Sequence, residues 1–206
     1  MAVDDLVGTV LVAGLVLFFV GAAAWRPAYD RPFAQTLGAI HRDRIRWRWI
    51  HVWMIVAMLT TPAGIAALAV VVDEPLAVAA VVIAAVVYTL GAVCWIASLT
   101  FRLTVTTWAA EVAVATGAPP DVGEPFNRWA TWLYSVHMCS AYGASSVLGA
   151  AVLTDGALPS WLGWTGIVWG PVFLVGFVTP RVAVAFRPPF WAHLYTGAVG
   201  VTLLMA

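Results

Sequence analysis

Charge is scarce in this chain. Only 10% of its 206 residues are Asp, Glu, Lys or Arg, against roughly 25% in an ordinary soluble domain. With 63% hydrophobic residues and a mean hydropathy of +0.93, a water-soluble globule is excluded. The ten cationic residues, all arginine, balance ten acids. The chain therefore lacks the cationic excess that a phosphate backbone demands, and nucleic acid is excluded as a partner. Cysteine is nearly absent as well: Cys94 and Cys139 lie in apolar stretches without metal-ligand spacing, so they read as buried thiols rather than as a zinc site or disulfide. His-Glu-x-x-His, Gly-x-Ser-x-Gly and Walker patterns are missing, and nothing resembles a paired-carboxylate active site.

What the sequence does contain is a series of long uncharged runs: Leu6–Trp25, Trp49–Val72, Pro75–Phe101, Trp129–Thr154, Gly156–Pro180 and the short Pro188–Ala206. A helix of about 20 apolar residues covers the roughly 30 Å hydrocarbon core of a bilayer. The runs therefore predict an all-α bundle of six transmembrane helices, forming one transmembrane domain over residues 1–206. Asp4 and Asp5 stand where a secretory signal carries basic residues, so the first run reads as a retained transmembrane helix. Neighbouring helices re-satisfy the backbone groups freed by proline and glycine, which makes the 12 Pro and 17 Gly tolerable.

Orientation follows from the arginines, because short cytoplasmic loops collect Arg and Lys while acids carry little information. Arg26, Arg31, Arg42, Arg44, Arg46 and Arg48 flank or fill the first loop, Arg102 and Arg128 the third, and Arg181 and Arg187 the fifth. The second loop offers only Asp73 and Glu74, and the fourth only Asp155. All ten arginines thus fall on one side, which puts both termini outside the cytoplasm of a bacterial cell, with the chain in its inner membrane. The first loop mixes arginines with Tyr29, Phe33, Leu37, Ile40 and Ile45, the makeup of a short helix lying at the headgroup level with its aliphatic residues down. Arg42, Arg44, Arg46 and Arg48 are expected to meet anionic lipid. From Leu103 to Ala115 the third helix is expected to continue into the cytoplasm, until Pro119 and Pro120 break it and the fourth restarts near Pro125.

An ionisable group inside a membrane is a functional-site hypothesis, and three of the four histidines fall in crossings. Counting from the nearest arginine at 1.5 Å per residue, His51 lies about 5 Å deep, His193 about 9 Å and His137 about 14 Å. The depths of His137 and His193 match within about one helical turn. These two residues are the candidate axial ligands of a haem b, or contacts for a quinone. The alternative is interhelical hydrogen bonding to a Ser, Thr or Tyr. Tyr134, Ser140, Glu111 and Thr196 are candidates for a polar cavity. Glu111 is the only acid in its apolar run and is expected to pair with Arg102, Arg128 or a first-loop arginine. His51, among Trp47, Trp49 and Trp53, is expected at the lipid boundary, where indoles and arginines anchor helices.

Three function classes stay open: a non-enzymatic accessory, assembly or ligand-binding subunit, a haem or quinone protein, and a small-solute transporter. Pro62 and Pro171, inside the second and fifth crossings, suggest the last. Membrane lipids are expected partners, with a further membrane protein or a second copy of the chain. From Leu148 to Gly170, LGAAVLTDGALPSWLGWTGIVWG combines a small-residue helix end, an acidic Gly turn and a Trp belt. This segment resembles a hairpin in a broad group of uncharacterised actinobacterial and other bacterial multi-span proteins. The resemblance implies a six- or seven-crossing bundle and supplies no catalytic residues.

Reporter fusions at residues 1 and 206 are expected to place both ends outside the cytoplasm; cytoplasmic labelling of either end would refute the six-crossing arrangement.

Overall fold

The computed structural model describes residues 2–206. Nine helices are present among them: α1 Val3–Ala22, α2 Phe33–Arg42, α3 Arg44–Ala67, α4 Pro75–Phe101, α5 Thr107–Thr116, α6 Gly123–Asp155, α7 Ser160–Val178, α8 Ala183–Phe186 and α9 Phe190–Met205. The chain is an all-α, multi-span helical bundle in which five segments are long and apolar enough to cross a membrane: Val3–Ala22, Arg44–Val70, Pro75–Thr116, Gly123–Asp155 and Ser160–Val178. Helix α9 has 16 residues, which span about 24 Å at 1.5 Å each.

Local chemistry sets the ends. Pro75 opens α4 at the position where a missing N–H costs nothing. Gly117 and Gly156 close α5 and α6 in the left-handed conformation, with φ of +78° and +76°. Their N–H groups reach back to the carbonyls of Ala113 at 3.0 Å and Val152 at 3.2 Å, satisfying the last turn of each helix. Between α4 and α5 the chain does not break but widens into a five-residue π turn, Arg102–Thr106. The 42-residue run Pro75–Thr116 is therefore about 60 Å long, twice a hydrocarbon core, and projects at the arginine-bearing end.

The long helices pack round a ring in the order α9, α1, α3, α4, α6, α7. Helix α7 returns toward α9 through Tyr195, whose hydroxyl donates to the Leu162 carbonyl at 3.4 Å. Pro62 and Pro171 lie inside α3 and α7. At the end opposite the arginines, the Asp155 carboxylate accepts from the backbone N–H groups of Asp73 at 2.8 Å and Glu74 at 3.2 Å, tying the α3–α4 turn to the α6–α7 turn.

Lipid tails are as apolar as leucine, so helices in a bilayer associate by close packing rather than by escape from water. Glycine supplies that closeness here. A Cβ on Gly8 would stand 2.8 Å from the Gly200 carbonyl oxygen, and one on Gly200 the same distance from that of Gly8, so α1 and α9 touch backbone to backbone. A Cβ on Gly149 would meet the Gly163 carbonyl oxygen at 2.5 Å and the Ile167 nitrogen at 2.7 Å, and α6 and α7 are joined in the same way.

Helix α2 corrects one expectation. Its aliphatic residues do not face lipid: Leu37 and Ile40 are fully buried, and Thr36 and Ala39 nearly so, because α2 packs on the projecting α5, where Ala109 and Ala110 are buried in turn. Where α5 leaves the hydrocarbon, burial of apolar surface again drives packing, by about 1.5–3 kcal/mol for a Leu or Ile side chain. Ile45, by contrast, is 88% exposed.

Gly149→Ala is expected to cost about 1–3 kcal/mol through overpacking. Gly143→Ala, where a Cβ would meet nothing within 4 Å, is expected to be neutral or to gain up to about 1 kcal/mol of helix propensity. Thermal unfolding of the two variants in detergent checks the contrast, and equal stability would refute the backbone contact.

Candidate functional site: a buried imidazole and aromatic cluster

Inside the ring, five helices contribute to one cluster. His137 on α6 is wholly buried; its imidazole stacks on Trp95 of α4 with ring centroids 4.7 Å apart and planes at 28°. Tyr88, two turns before Trp95 on the same helix, meets the imidazole edge-on at 5.7 Å. His193 on α9 is equally buried and stacks on Phe18 of α1 at 4.4 Å and 21°. Phe18 and Trp95 lie 6.4 Å apart, so the two histidines are linked through a run of rings from four different helices. Thr61 of α3 completes the set, with its hydroxyl 3.3 Å from His193 Nδ1.

Packing puts them there. Tyr88, Gly91, Trp95 and Ser98 recur at helical spacing and line one inward face of α4. Gly91 lets α6 approach: a Cβ there would stand 2.6 Å from Ser140 Cβ and 3.2 Å from His137 Cα. On α1, Gly14 opens the space that the Thr61 side chain fills.

The polar atoms of the cluster are under-satisfied. Among the described residues, His137 Nδ1 and Nε2, His193 Nε2, Tyr88 Oη and Ser98 Oγ are buried and have no hydrogen-bond partner. Tyr88 Oη lies beside the Thr61 hydroxyl but outside hydrogen-bonding geometry. A buried polar group left without a partner costs roughly 1–3 kcal/mol, so several together mark a place where something besides the protein can supply the missing bonds. His193 has the arrangement of a metal-ligating histidine, one ring nitrogen steadied by a hydroxyl and the other free. Among the described residues no group of three or more His, Cys, Asp or Glu is placed to hold a metal ion. The free nitrogens are of the kind that ligate a haem iron axially, but Trp95 and Phe18 cover the faces of the two rings, so a macrocycle would enter only by displacing those side chains.

The other expected site residues stand at the edge of the cluster or away from it. Glu111 pairs with Arg44, a first-loop arginine, on the exposed face of the projecting segment. The Tyr134 hydroxyl donates to the Arg187 carbonyl, and its ring stands edge-on to Trp95 at 5.4 Å. Together with Tyr142, which donates to the Phe186 carbonyl at 3.0 Å, it ties the α8 segment to α6. Thr196 donates within its own helix to the His193 carbonyl at 3.1 Å, and Ser140 serves as the α4–α6 contact. His51 is placed away from the lipid boundary: it is 1% exposed, its ring packs on Trp47 at 4.2 Å, and Nδ1 is 2.7 Å from the Trp47 carbonyl oxygen. It lies on the buried face of α3 with Trp47, Ile50 and Met54, where its aromatic neighbours had suggested lipid. Sequence reasoning missed Phe18, Thr61, Tyr88 and Trp95; helical recurrence on α4 was a signal for the last two alone.

The fold and this cluster define a multi-pass helical membrane protein. No family model matches the chain, and no curated protein or solved structure matches it.

Thr61→Val, which removes the partner of His193, is expected to lower stability by about 0.6 kcal/mol, the average for an interhelical hydrogen bond in a membrane. His137→Leu removes two nitrogens that have no partner, and in protein free of any ligand it is expected to be neutral or stabilising. Unfolding in detergent measures both; a loss above about 1 kcal/mol for His137→Leu would show that its nitrogens are satisfied within the protein.

Proposed function

We propose that this protein is a non-enzymatic, ligand-holding subunit of a bacterial inner membrane, crossing it six times with both termini outside the cytoplasm, and that His137 and His193 hold the ligand. One observation carries the reading: three imidazole nitrogens without partners at the centre of the bundle. A hydrogen-bonding role alone accounts for one contact, that of His193 with Thr61, whereas the His137 imidazole lies beside the Gly91 carbonyl but outside hydrogen-bonding geometry. The arrangement of the arginines supports the sidedness, and the hairpin at Leu148–Gly170 supports a bacterial multi-span protein. Accessory or assembly function suits a chain whose outward faces carry many apolar side chains, including Leu59, Leu90, Val93 and Trp132, able to meet lipid, another subunit or a second copy.

For the ligand, a b-type haem is the reading that the free Nε2 of His193 favours. Bound there, it would offer one-electron chemistry. The chain's own part would be to steady the His193 ring through Thr61 and to surround the pair with the apolar and aromatic side chains of Phe18 and Trp95, which sets a low local dielectric.

Protein purified from haem-replete membranes is expected to show a Soret band that His137→Ala and His193→Ala each abolish or shift and His51→Ala leaves in place. Solvent extraction of the same sample reads quinone, whose loss in the first two variants alone would support the site and refute haem. Folded protein with neither haem nor extractable quinone would overturn the ligand-holding reading.

A further inference from the structure

At the arginine-bearing end of the bundle, away from the histidine cluster, an open groove of about 1010 Å³ lies between the end of α1 and the start of α3. Its two walls differ in chemistry. Val20, Ala23 and Ala24 form an apolar wall where α1 leaves the membrane, and Trp49 lines the groove as well. The indole of Trp49 is fixed by donating to the Val20 carbonyl at 3.1 Å. The opposite wall is the link from α2 to α3, with His41, Arg42, Arg44 and Arg46.

The charges on that wall are not equally free. Asp43 also lines the groove, but its carboxylate is taken by Arg26 at 3.0 Å and by the Tyr29 hydroxyl at 3.4 Å. Burial and the Asp43 charge raise the Tyr29 phenol above its ordinary value. Arg44 is engaged by Glu111. Arg42 and Arg46 have no carboxylate partner among the described residues. The start of α3, a 24-residue helix, has no side-chain cap among the described residues, so the positive end of its dipole lies at the wall formed by residues 43–46. His41 adds a buried Nδ1 without a partner. An occupant with an anionic head and an apolar tail, presented at the level where a helix leaves the hydrocarbon, matches every one of these features, and that occupant is a lipid.

We propose that this groove binds one anionic phospholipid, its phosphate held by Arg42, Arg46 and the start of α3, with the acyl chains running along Val20 and Trp49. Helix N-termini and arginines are the ordinary means of holding phosphate. The proposal separates arginines that sequence position treats alike: Arg48 is as exposed as its neighbours but does not line the groove.

The test reconstitutes the full chain in phosphatidylcholine nanodiscs with a trace of labelled phosphatidylglycerol and measures how strongly the label is retained. Arg42→Gln and Arg46→Gln are each expected to weaken retention about five-fold, the equivalent of roughly 1 kcal/mol per charge near the headgroups. Arg48→Gln should match the unchanged protein, and the pair Arg42→Lys with Arg46→Lys should recover most of the retention. Equal loss for Arg48→Gln would mean a diffuse surface attraction and overturn the site. Loss in the lysine pair as large as in the glutamine variants would trace the effect to structure rather than charge and overturn it also. Displacement of the label by millimolar inorganic phosphate as readily as by unlabelled phosphatidylglycerol would identify a free-anion site and refute the lipid.

Discussion

Helices that cross a bilayer gain nothing by hiding apolar side chains from one another, so the contact on which this bundle depends is the approach of one backbone to another at positions without a side chain. Gly8 against Gly200 joins α1 to α9, and Gly149 against Gly163 joins α6 to α7. Between those contacts the ring is closed by α3 and α4, and its interior is filled by side chains too large for a close crossing: Phe18, Tyr88, Trp95, His137 and His193. Tight edges thus create the wider centre. The imidazoles sit where dispersion contacts with aromatic rings are good and hydrogen bonds are few, an arrangement that is costly unless a ligand completes it.

The two ends of the molecule follow different physics. At the arginine-bearing end the α4–α5 segment outruns the membrane, and α2 folds down on it by the ordinary hydrophobic effect, with Leu37 and Ile40 buried. The Arg26–Asp43 and Arg44–Glu111 pairs on this surface are exposed enough to add little stability. Their effect is to decide which cations are spent on partners and which remain free. At the opposite end a single carboxylate, Asp155, links two turns by accepting backbone N–H groups. A carboxylate placed on such N–H groups makes charge-assisted bonds, so one residue ties the two turns together.

Much of the helical arrangement was legible before any coordinates, for a simple reason. Hydrocarbon excludes charge so strongly that the uncharged runs fall inside long helices, as Pro75–Phe101 does, although α3 and α6 begin earlier, at Arg44 and Gly123. The extension of the third crossing and its stop before Pro119 were readable because glycine and proline act locally. Partners were not readable in the same way. Glu111 had three classes of arginine available, and Arg44 lies 67 residues away in sequence. The aliphatic face of α2 suits lipid and the α5 surface equally well as a pattern, and only the projecting helix decides between them.

The sequence by itself determined that the chain is helical and membrane-spanning, and that His137 and His193 stand out, because each of these rests on the local cost of charge and polarity in hydrocarbon. Tertiary structure alone decided that Phe18, Thr61, Tyr88 and Trp95 surround those histidines, that His51 turns inward, and that Arg42 and Arg46 line a groove while Arg48 does not. In a helix that is apolar on every side, periodicity does not mark an inner face. Which face turns inward is set by where glycines let neighbouring backbones meet, a condition that involves two helices at once and that no single stretch of sequence contains.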